Sequence, residues 1–103
     1  MIYSVVTMMI KPGKMDAFLA ECRKIRPLVL AEEGCHMYDF TREIDSGAGR
    51  QEPVDPNRVT LYEKWASLEA LAAHSATAHM KEFVARMAPM RESVVIRTGT
   101  EAF

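Results

Sequence analysis

The first run of hydrophobic residues has no helical spacing. Residues 2–10, IYSVVTMMI, are β-branched or apolar at both sets of alternating positions, which predicts a strand. A strand that is apolar toward both sides is typical of a sheet covered on both faces. The chain is short, so we expect a second subunit to supply one of the two covers.

The second hydrophobic run has the spacing of a helix. After a turn over Lys11–Lys14, apolar residues recur every three or four positions and predict a helix to about Ala31. Pro27 lies inside this run, so we expect a kink there or a break followed by a short second helix. Gly34 suits the helix stop, because glycine tolerates a left-handed backbone.

Two further strands surround a polar segment. Residues 35–42 and 59–65 each alternate in polarity and predict a strand. Residues 43–58 between them are rich in Gly, Pro and Asp, which predicts a long hairpin loop or flap.

Two capping residues predict the next pair of helices. Ser67 suits the N-cap of a helix that ends near His74 or Ser75, and Thr77 suits the N-cap of a helix that ends near Met87. Each cap would satisfy backbone N–H groups that the first helical turn leaves unpaired.

A fourth strand over residues 92–100 completes the order β-α-β-β-α-β. This order predicts an α+β fold, a ferredoxin-like (split β-α-β) sandwich, as a single domain over residues 1–103. The helices would cover one face of the sheet. The other face is partly apolar, and a homodimer would cover it.

Composition and charge narrow the class of protein. Hydrophobic residues make up 49% and charged residues 26% of the chain, as in globular proteins, and the net charge is −1. That balance argues against a nucleic-acid partner, which favours a basic surface. No apolar run approaches the ~20 residues that span a bilayer. We therefore expect a cytoplasmic protein with no membrane partner.

Cys35 and His36 are adjacent in a predicted strand. Neighbouring strand residues point to opposite faces, so these two side chains cannot act on each other as nucleophile and base. Cys35 is interpreted as a small buried apolar residue. His36 shares a face with Tyr38 and Phe40, where it would either line a pocket or pack in the core or an interface.

Glu63 and Trp65 share the face of a strand that is otherwise apolar there. A carboxylate in such surroundings is a candidate general base or pocket hydrogen-bonding group. The alternative is a cross-strand ion pair with Arg97 or Arg42. Trp65 would be a pocket wall or a core residue.

His74 and His79 would lie about 140° apart on one continuous helix. The SATA sequence at 75–78 interrupts the helix, so both rings can turn toward one cavity. They are candidate general bases, and the alternative is packing at a helix corner. Neither the C-x-x-C nor the H-E-x-x-H spacing of zinc sites occurs, so we predict no metal site.

Two stretches resemble the antibiotic biosynthesis monooxygenase (ABM) family, and the small bacterial quinol monooxygenases within it. They are EEGCHMYDF at 32–40 and LYEKWASLEALAAHSATAHMKEF at 61–83. The family pattern falls on Glu32, Gly34, Cys35, Tyr38, Glu63, Trp65, His74, Thr77 and His79.

The resemblance implies a homodimer whose two sheets form a dimeric α/β barrel, with an apolar pocket between the sheet and the helices of each subunit. It implies a cofactor-independent monooxygenase that oxidises a small aromatic substrate, a quinol or polycyclic phenol, with O2. It also implies residue roles: catalysis by His79, His74 or Glu63, and substrate binding by Trp65, His36 and Tyr38.

Two departures from the family pattern and three alternatives remain. Ala78 stands where the family usually has proline, and the first strand lacks the asparagine of haem-degrading relatives, which argues against haem degradation.

The alternatives are an isomerase or processing enzyme for a small phosphorylated signalling metabolite, a non-catalytic dimer that binds an aromatic ligand, and haem binding without degradation. A phosphate substrate would need a basic cluster, and only Lys81 and Arg86 lie on the last helix.

Overall fold

The fold is a four-stranded antiparallel sheet with helices packed on one face. The computed structural model describes residues 1–103. In chain order the elements are β1 (Ile2–Ile10), α1 (Met15–Leu30), β2 (Cys35–Arg42), β3 (Arg58–Trp65), α2 (Leu68–Ser75), α3 (Ala78–Met87), a short 3-10 helix (Ala88–Met90) and β4 (Arg91–Thr100).

The strand order is β2-β3-β1-β4, and every neighbouring pair is antiparallel. The predicted order of elements and the ferredoxin-like α+β fold are confirmed. None of the helices combines the length and the apolar character that a membrane crossing requires.

The alternation of β1 separates the core from the uncovered side of the sheet. Ser4, Val6, Met8 and Ile10 are buried beneath the helices, each at most 7% exposed. The core also receives the apolar stripe of α1, the inward residues of β2 and β3, and Met80, Phe83 and Met87 of α3.

α1 continues through Pro27, so the predicted break is absent. Pro27 lies in the last turn, where few backbone bonds remain to be disrupted. The Ala31 N–H still donates to the Pro27 carbonyl at 3.3 Å. The helix ends at Leu30, so Gly34 terminates the following turn rather than the helix itself.

The opposite face of the sheet has no cover within the chain. Tyr3 is 39% exposed, Tyr62 44% and Val95 45%, and they lie on three neighbouring strands. Exposed aromatic and branched apolar side chains on a contiguous sheet face are typical of an interaction surface.

The start of β2 departs from the predicted alternation. Cys35 pairs with Trp65 while Met37 pairs with Lys64, so β2 has one residue more than β3 in this interval. This irregularity behaves as a β-bulge, which re-aims the side chains beside it. The strict alternation predicted from Cys35 onward is therefore wrong at the bulge and correct from Met37. Cys35 pairs with Trp65 and packs against the core, and His36 is exposed.

Gly34 allows the turn before β2 to lie directly against α2. Its φ is +82°, and a Cβ added to it would stand 2.7 Å from the Ala70 Cβ and 3.4 Å from the Ala66 Cβ. The Ala66 N–H donates to the Gly34 carbonyl at 2.8 Å. This close approach places Glu32, two residues earlier, beside the helices.

We predict that Gly34→Ala destabilises the fold more than Gly13→Ala. Gly13 has φ +81° and open space around it, so alanine there costs only the strain of a left-handed backbone, about 1 kcal/mol. Gly34→Ala adds a steric clash and should cost about 2–4 kcal/mol in total. Chemical denaturation of both variants measures the difference, and equal losses would contradict the close approach.

Candidate active site

A cavity of about 370 Å³ lies between the sheet and the helices α2 and α3. All four strands contribute to its floor. Its roof comes from the two helices, through Leu71, His74, Ser75, Met80, Phe83 and Val84. Cavities of this volume are typical of small-molecule sites.

The floor changes from polar to apolar along the strands. Cross-strand pairing sets side chains of the four strands in rows, because residues paired between neighbouring strands point to the same face. The polar row is Tyr38, Glu63, Ser4 and Thr98, and the next, apolar row is Phe40, Leu61, Val6 and Ile96. Beyond them lie Met8 and Val94, and Arg91 closes the far end.

Glu32 joins two histidines from two helices at the polar end. Its carboxylate oxygens lie 3.1 and 3.0 Å from His74 Nδ1, and 2.8 Å separates one of them from His79 Nε2. A carboxylate only accepts hydrogen bonds, so both of these ring nitrogens donate. With Nδ1 carrying its proton, Nε2 is the nitrogen of neutral His74 that can accept one.

Glu63 stands opposite this free nitrogen. Its Oε1 lies 3.8 Å from His74 Nε2, which is too far for a direct hydrogen bond. Trp65 Nε1 donates to the same oxygen at 3.0 Å and so fixes the carboxyl group. Both side chains are nearly buried: His74 is 4% and Glu63 7% exposed. A base and a carboxyl group therefore face each other across a narrow gap.

Burial changes the acid–base properties of the cavity wall. It raises the pKa of Glu63 above its ordinary value, against the opposing effects of the Trp65 hydrogen bond and the His74 charge. Burial also raises the pKa of Tyr38 well above its usual range, so its phenol stays protonated. The Tyr38 hydroxyl lies 4.0 Å from the Met80 sulfur.

Three of the six predicted site residues line the cavity: His74, Glu63 and Tyr38. Trp65 lies behind them, fully buried, with its ring centroid 4.6 Å from that of His74. It supports the wall rather than forming its surface.

The other two predicted residues lie outside the cavity lining. His79 contacts a carboxylate oxygen of Glu32 rather than the cavity, and its side chain is 29% exposed. The break between α2 and α3 was predicted to let both rings turn toward one cavity. Only His74 lines it, although both rings contact Glu32. His36 is exposed at the bulge of β2, away from Tyr38.

The alternative of a cross-strand ion pair between Glu63 and Arg97 or Arg42 is wrong. Arg42 instead donates to the Pro56 carbonyl at 2.9 Å. Arg97 pairs with Val5, whose side chain lies on the uncovered face of the sheet. Glu63 has no arginine partner, and Trp65 and His74 are its polar neighbours.

Glu32 was not predicted as a site residue from the sequence. It belongs to the motif that carries the family resemblance, but Glu33 stands beside it with the same chemistry. The turn before Gly34 directs Glu32 inward and leaves Glu33 exposed. The available signal was the place of Glu32 in the family motif, two residues before Gly34. No group of three or more His, Cys, Asp or Glu side chains has an arrangement that could hold a metal ion.

Comparisons with known proteins agree with the fold and with the family resemblance. The sequence profile described as antibiotic biosynthesis monooxygenase matches residues 1–86. "Probable quinol monooxygenase YgiN" of Escherichia coli (strain K12) is 37% identical over 75 residues, 71% of this chain and 71% of that protein.

Solved structures share the whole architecture. A Nitrosomonas europaea protein superposes with a TM-score of 0.85 at 24% identity and covers 100% of each chain. Protein SO0527 of Shewanella oneidensis has a TM-score of 0.82 at 27% identity, covering 97% of this chain and 89% of that one.

We predict that Glu63→Gln gains stability relative to the wild type as the pH rises. A carboxyl group with a raised pKa binds its proton more tightly in the folded chain. This tighter binding adds to the free energy of unfolding. The addition is complete below the ordinary pKa of 4.5 and is lost as the pH rises through the raised pKa. Glutamine keeps a side-chain oxygen that can accept the hydrogen bond from Trp65 Nε1, and it does not ionise.

Chemical denaturation between about pH 4 and pH 8 tests this prediction. The free energy of unfolding of Glu63→Gln minus that of the wild type should increase across the range. Glu82→Gln, at an exposed position of α3, controls for the loss of one carboxylate. A difference that is independent of pH would contradict a raised pKa at Glu63.

Proposed function

The chain belongs to the antibiotic biosynthesis monooxygenase family, and we propose that it oxidises a quinol or polycyclic phenol with O2 in the cavity between the sheet and helices α2 and α3. One observation carries the proposal. The Glu32–His74 pair faces Glu63 across a gap at the polar end of a cavity whose middle is apolar. That arrangement suits removal of a proton from an aromatic hydroxyl group.

The first proposed step is proton transfer to His74. A substrate hydroxyl in the gap would donate to His74 Nε2, and Glu32 would stabilise the resulting imidazolium from the other side of the ring. Glu32 also holds the ring orientation, because it bonds Nδ1 with both oxygens. Glu63 can supply a proton to the oxygen that leaves as water.

The second proposed step needs no electron donor other than the substrate. Deprotonation makes the ring electron-rich enough to reduce O2. A quinol supplies four electrons: two as it becomes a quinone, and two as one ring C–H becomes C–OH. One oxygen atom enters the product and the other leaves as water, so no dedicated cofactor is required in this proposal.

The apolar middle of the cavity supports this chemistry. Phe40, Leu61 and Val6 form a row that holds a flat ring and limits access of water to the reactive anion. The lining contains one arginine and no lysine, which disfavours the alternative of a phosphorylated substrate. We also propose that a homodimer is the working form, since the sheet face with Tyr62 and Val95 has no cover within the chain.

We predict that His74→Ala lowers turnover about a hundredfold or more, as expected for loss of a general base. The assay is O2 uptake by metal-stripped protein with a panel of quinols and polycyclic phenols. Isotopically labelled O2 then reports whether oxygen enters the product. His36→Ala is the matched control, because that histidine is exposed and outside the cavity.

Three results would overturn the proposed function. Equal O2 uptake by the wild type and His74→Ala would mean that the uptake is only autoxidation of the quinols. Tight binding without turnover would favour the non-catalytic dimer. Conversion that continues without O2 would favour the isomerase or processing enzyme.

We predict that the wild type is a dimer at micromolar concentration and that Tyr62→Glu shifts it to the monomer. The substitution places a charge on the uncovered sheet face, where burial against a second copy would be costly. Light scattering coupled to size exclusion measures the mass. Leu28→Glu, at a 51% exposed position of α1, should remain dimeric. A monomeric wild type would remove the homodimer from the proposal.

A further inference from the structure

Arg91 lines the far end of the cavity and has no acidic partner. Its Nη1 lies 3.8 Å from the Met8 sulfur, a weak acceptor, and it takes part in no ion pair. Arg26, Arg58 and Arg86 are paired with acids, while the other arginines without an ion pair, Arg23, Arg42, Arg50 and Arg97, lie outside the cavity lining. A partly buried guanidinium that lines a cavity and has no carboxylate beside it is suited to an anionic ligand.

We propose that Arg91 binds a carboxylate of the substrate. The preferred substrate is then a hydroxylated fused-ring aromatic acid, with its reacting hydroxyl and its carboxylate at opposite ends. This inference rests on the proposed function for the identity of the reacting end. The carboxylate would accept hydrogen bonds from the guanidinium in a planar, two-point arrangement.

The charges at the two ends of the cavity fix the orientation of such a molecule. Glu63 lines the polar end and Glu32 lies behind His74, so a substrate carboxylate there would face two carboxyl groups and no arginine or lysine. Arg91 attracts the same group at the other end. A substrate with one hydroxyl and one carboxylate therefore has one favourable orientation, with the hydroxyl beside His74.

The length of the floor suits fused rings rather than a single ring. Ser4 marks the polar row, and Met8, which contacts Arg91, lies four residues farther along β1. At about 3.4 Å per residue, these positions are about 14 Å apart. Side chains project inward from both ends, which leaves room for two or three fused rings and their substituents.

A carboxylate fits better than a phosphate. Arg91 is the one arginine or lysine of the lining, and no helix N-terminus or glycine-rich turn contributes to that end. A doubly charged phosphate is usually bound by several donors of this kind. One guanidinium matches one carboxylate in charge and in geometry.

The test compares two ligands that differ only in charge. One is a hydroxynaphthoate with its hydroxyl and carboxylate at opposite ends of the ring system, and the other is the corresponding neutral carboxamide. Dissociation constants are measured by titration calorimetry without O2 for the wild type, Arg91→Gln, Arg91→Lys and Arg97→Gln. Arg97 is the matched control, since it lies on the same strand but on the face away from the cavity.

We expect the wild type and Arg97→Gln to bind the carboxylate about tenfold more tightly than the carboxamide, as for a charge-assisted hydrogen bond. Arg91→Gln should bind both equally, while Arg91→Lys should keep part of the preference. The carboxamide should bind Arg91→Gln as it binds the wild type, which shows that the cavity is intact.

Three results would overturn the inference: no binding of either ligand, equal binding of both by the wild type, or an unchanged preference in Arg91→Gln. Failure of the proposed function is distinguishable, because the titration involves no turnover. A carboxylate preference that depends on Arg91, together with no O2 uptake, would refute the monooxygenase and leave the carboxylate site. O2 uptake with neutral and anionic quinols alike, together with equal binding of the two ligands, would support the monooxygenase and refute the carboxylate site.

Discussion

The hydrogen bonds from two histidines to Glu32 are the interaction on which the polar end of the cavity depends. His74 comes from the end of α2, His79 from the start of α3, and Glu32 from the turn after α1. One carboxylate therefore joins three segments that are distant in sequence. Removing one histidine deprives a nearly buried carboxylate of a hydrogen-bond donor, which costs about 1–3 kcal/mol. The network is thus structural and chemical at once, because it holds the ring whose other nitrogen faces the cavity.

Most of the fold was predictable because local patterns determine it. The caps Ser67 and Thr77 each accept a backbone N–H as expected, at 3.1 and 3.2 Å, and so set the helix starts correctly. The bulge at His36 was not predictable, because an extra residue in one strand has no signature in hydrophobic alternation. The choice between Glu32 and Glu33 likewise depends on the conformation of a turn. Local sequence therefore predicts the elements, while the site depends on how turns direct individual side chains.

The cavity acquires its graded polarity from the register of the sheet. In each strand, alternate residues face the helices, and the pairing of Ser4 with Glu63 and Thr98 collects the polar ones into a single row. A shift of one residue in β3 would turn Glu63 away and place Lys64 in the floor. Buried apolar residues such as Leu61 oppose that shift. The hydrophobic core thereby fixes the position of the carboxyl group relative to His74.

The side of the cavity along β4 is its open boundary, and this affects the chemistry proposed for it. Val94 is 40% and Ile96 63% exposed, so part of the apolar wall is in contact with solvent in the single chain. An electron-rich anion reacting with O2 benefits from a dry environment, because water weakens the electrostatic interactions that hold it. A bound aromatic ring would itself cover these side chains, and a second subunit beside β4 would cover more. Burial of β4, whether by substrate or by a partner, is therefore the step that would make the interaction of His74 with a substrate hydroxyl strongest.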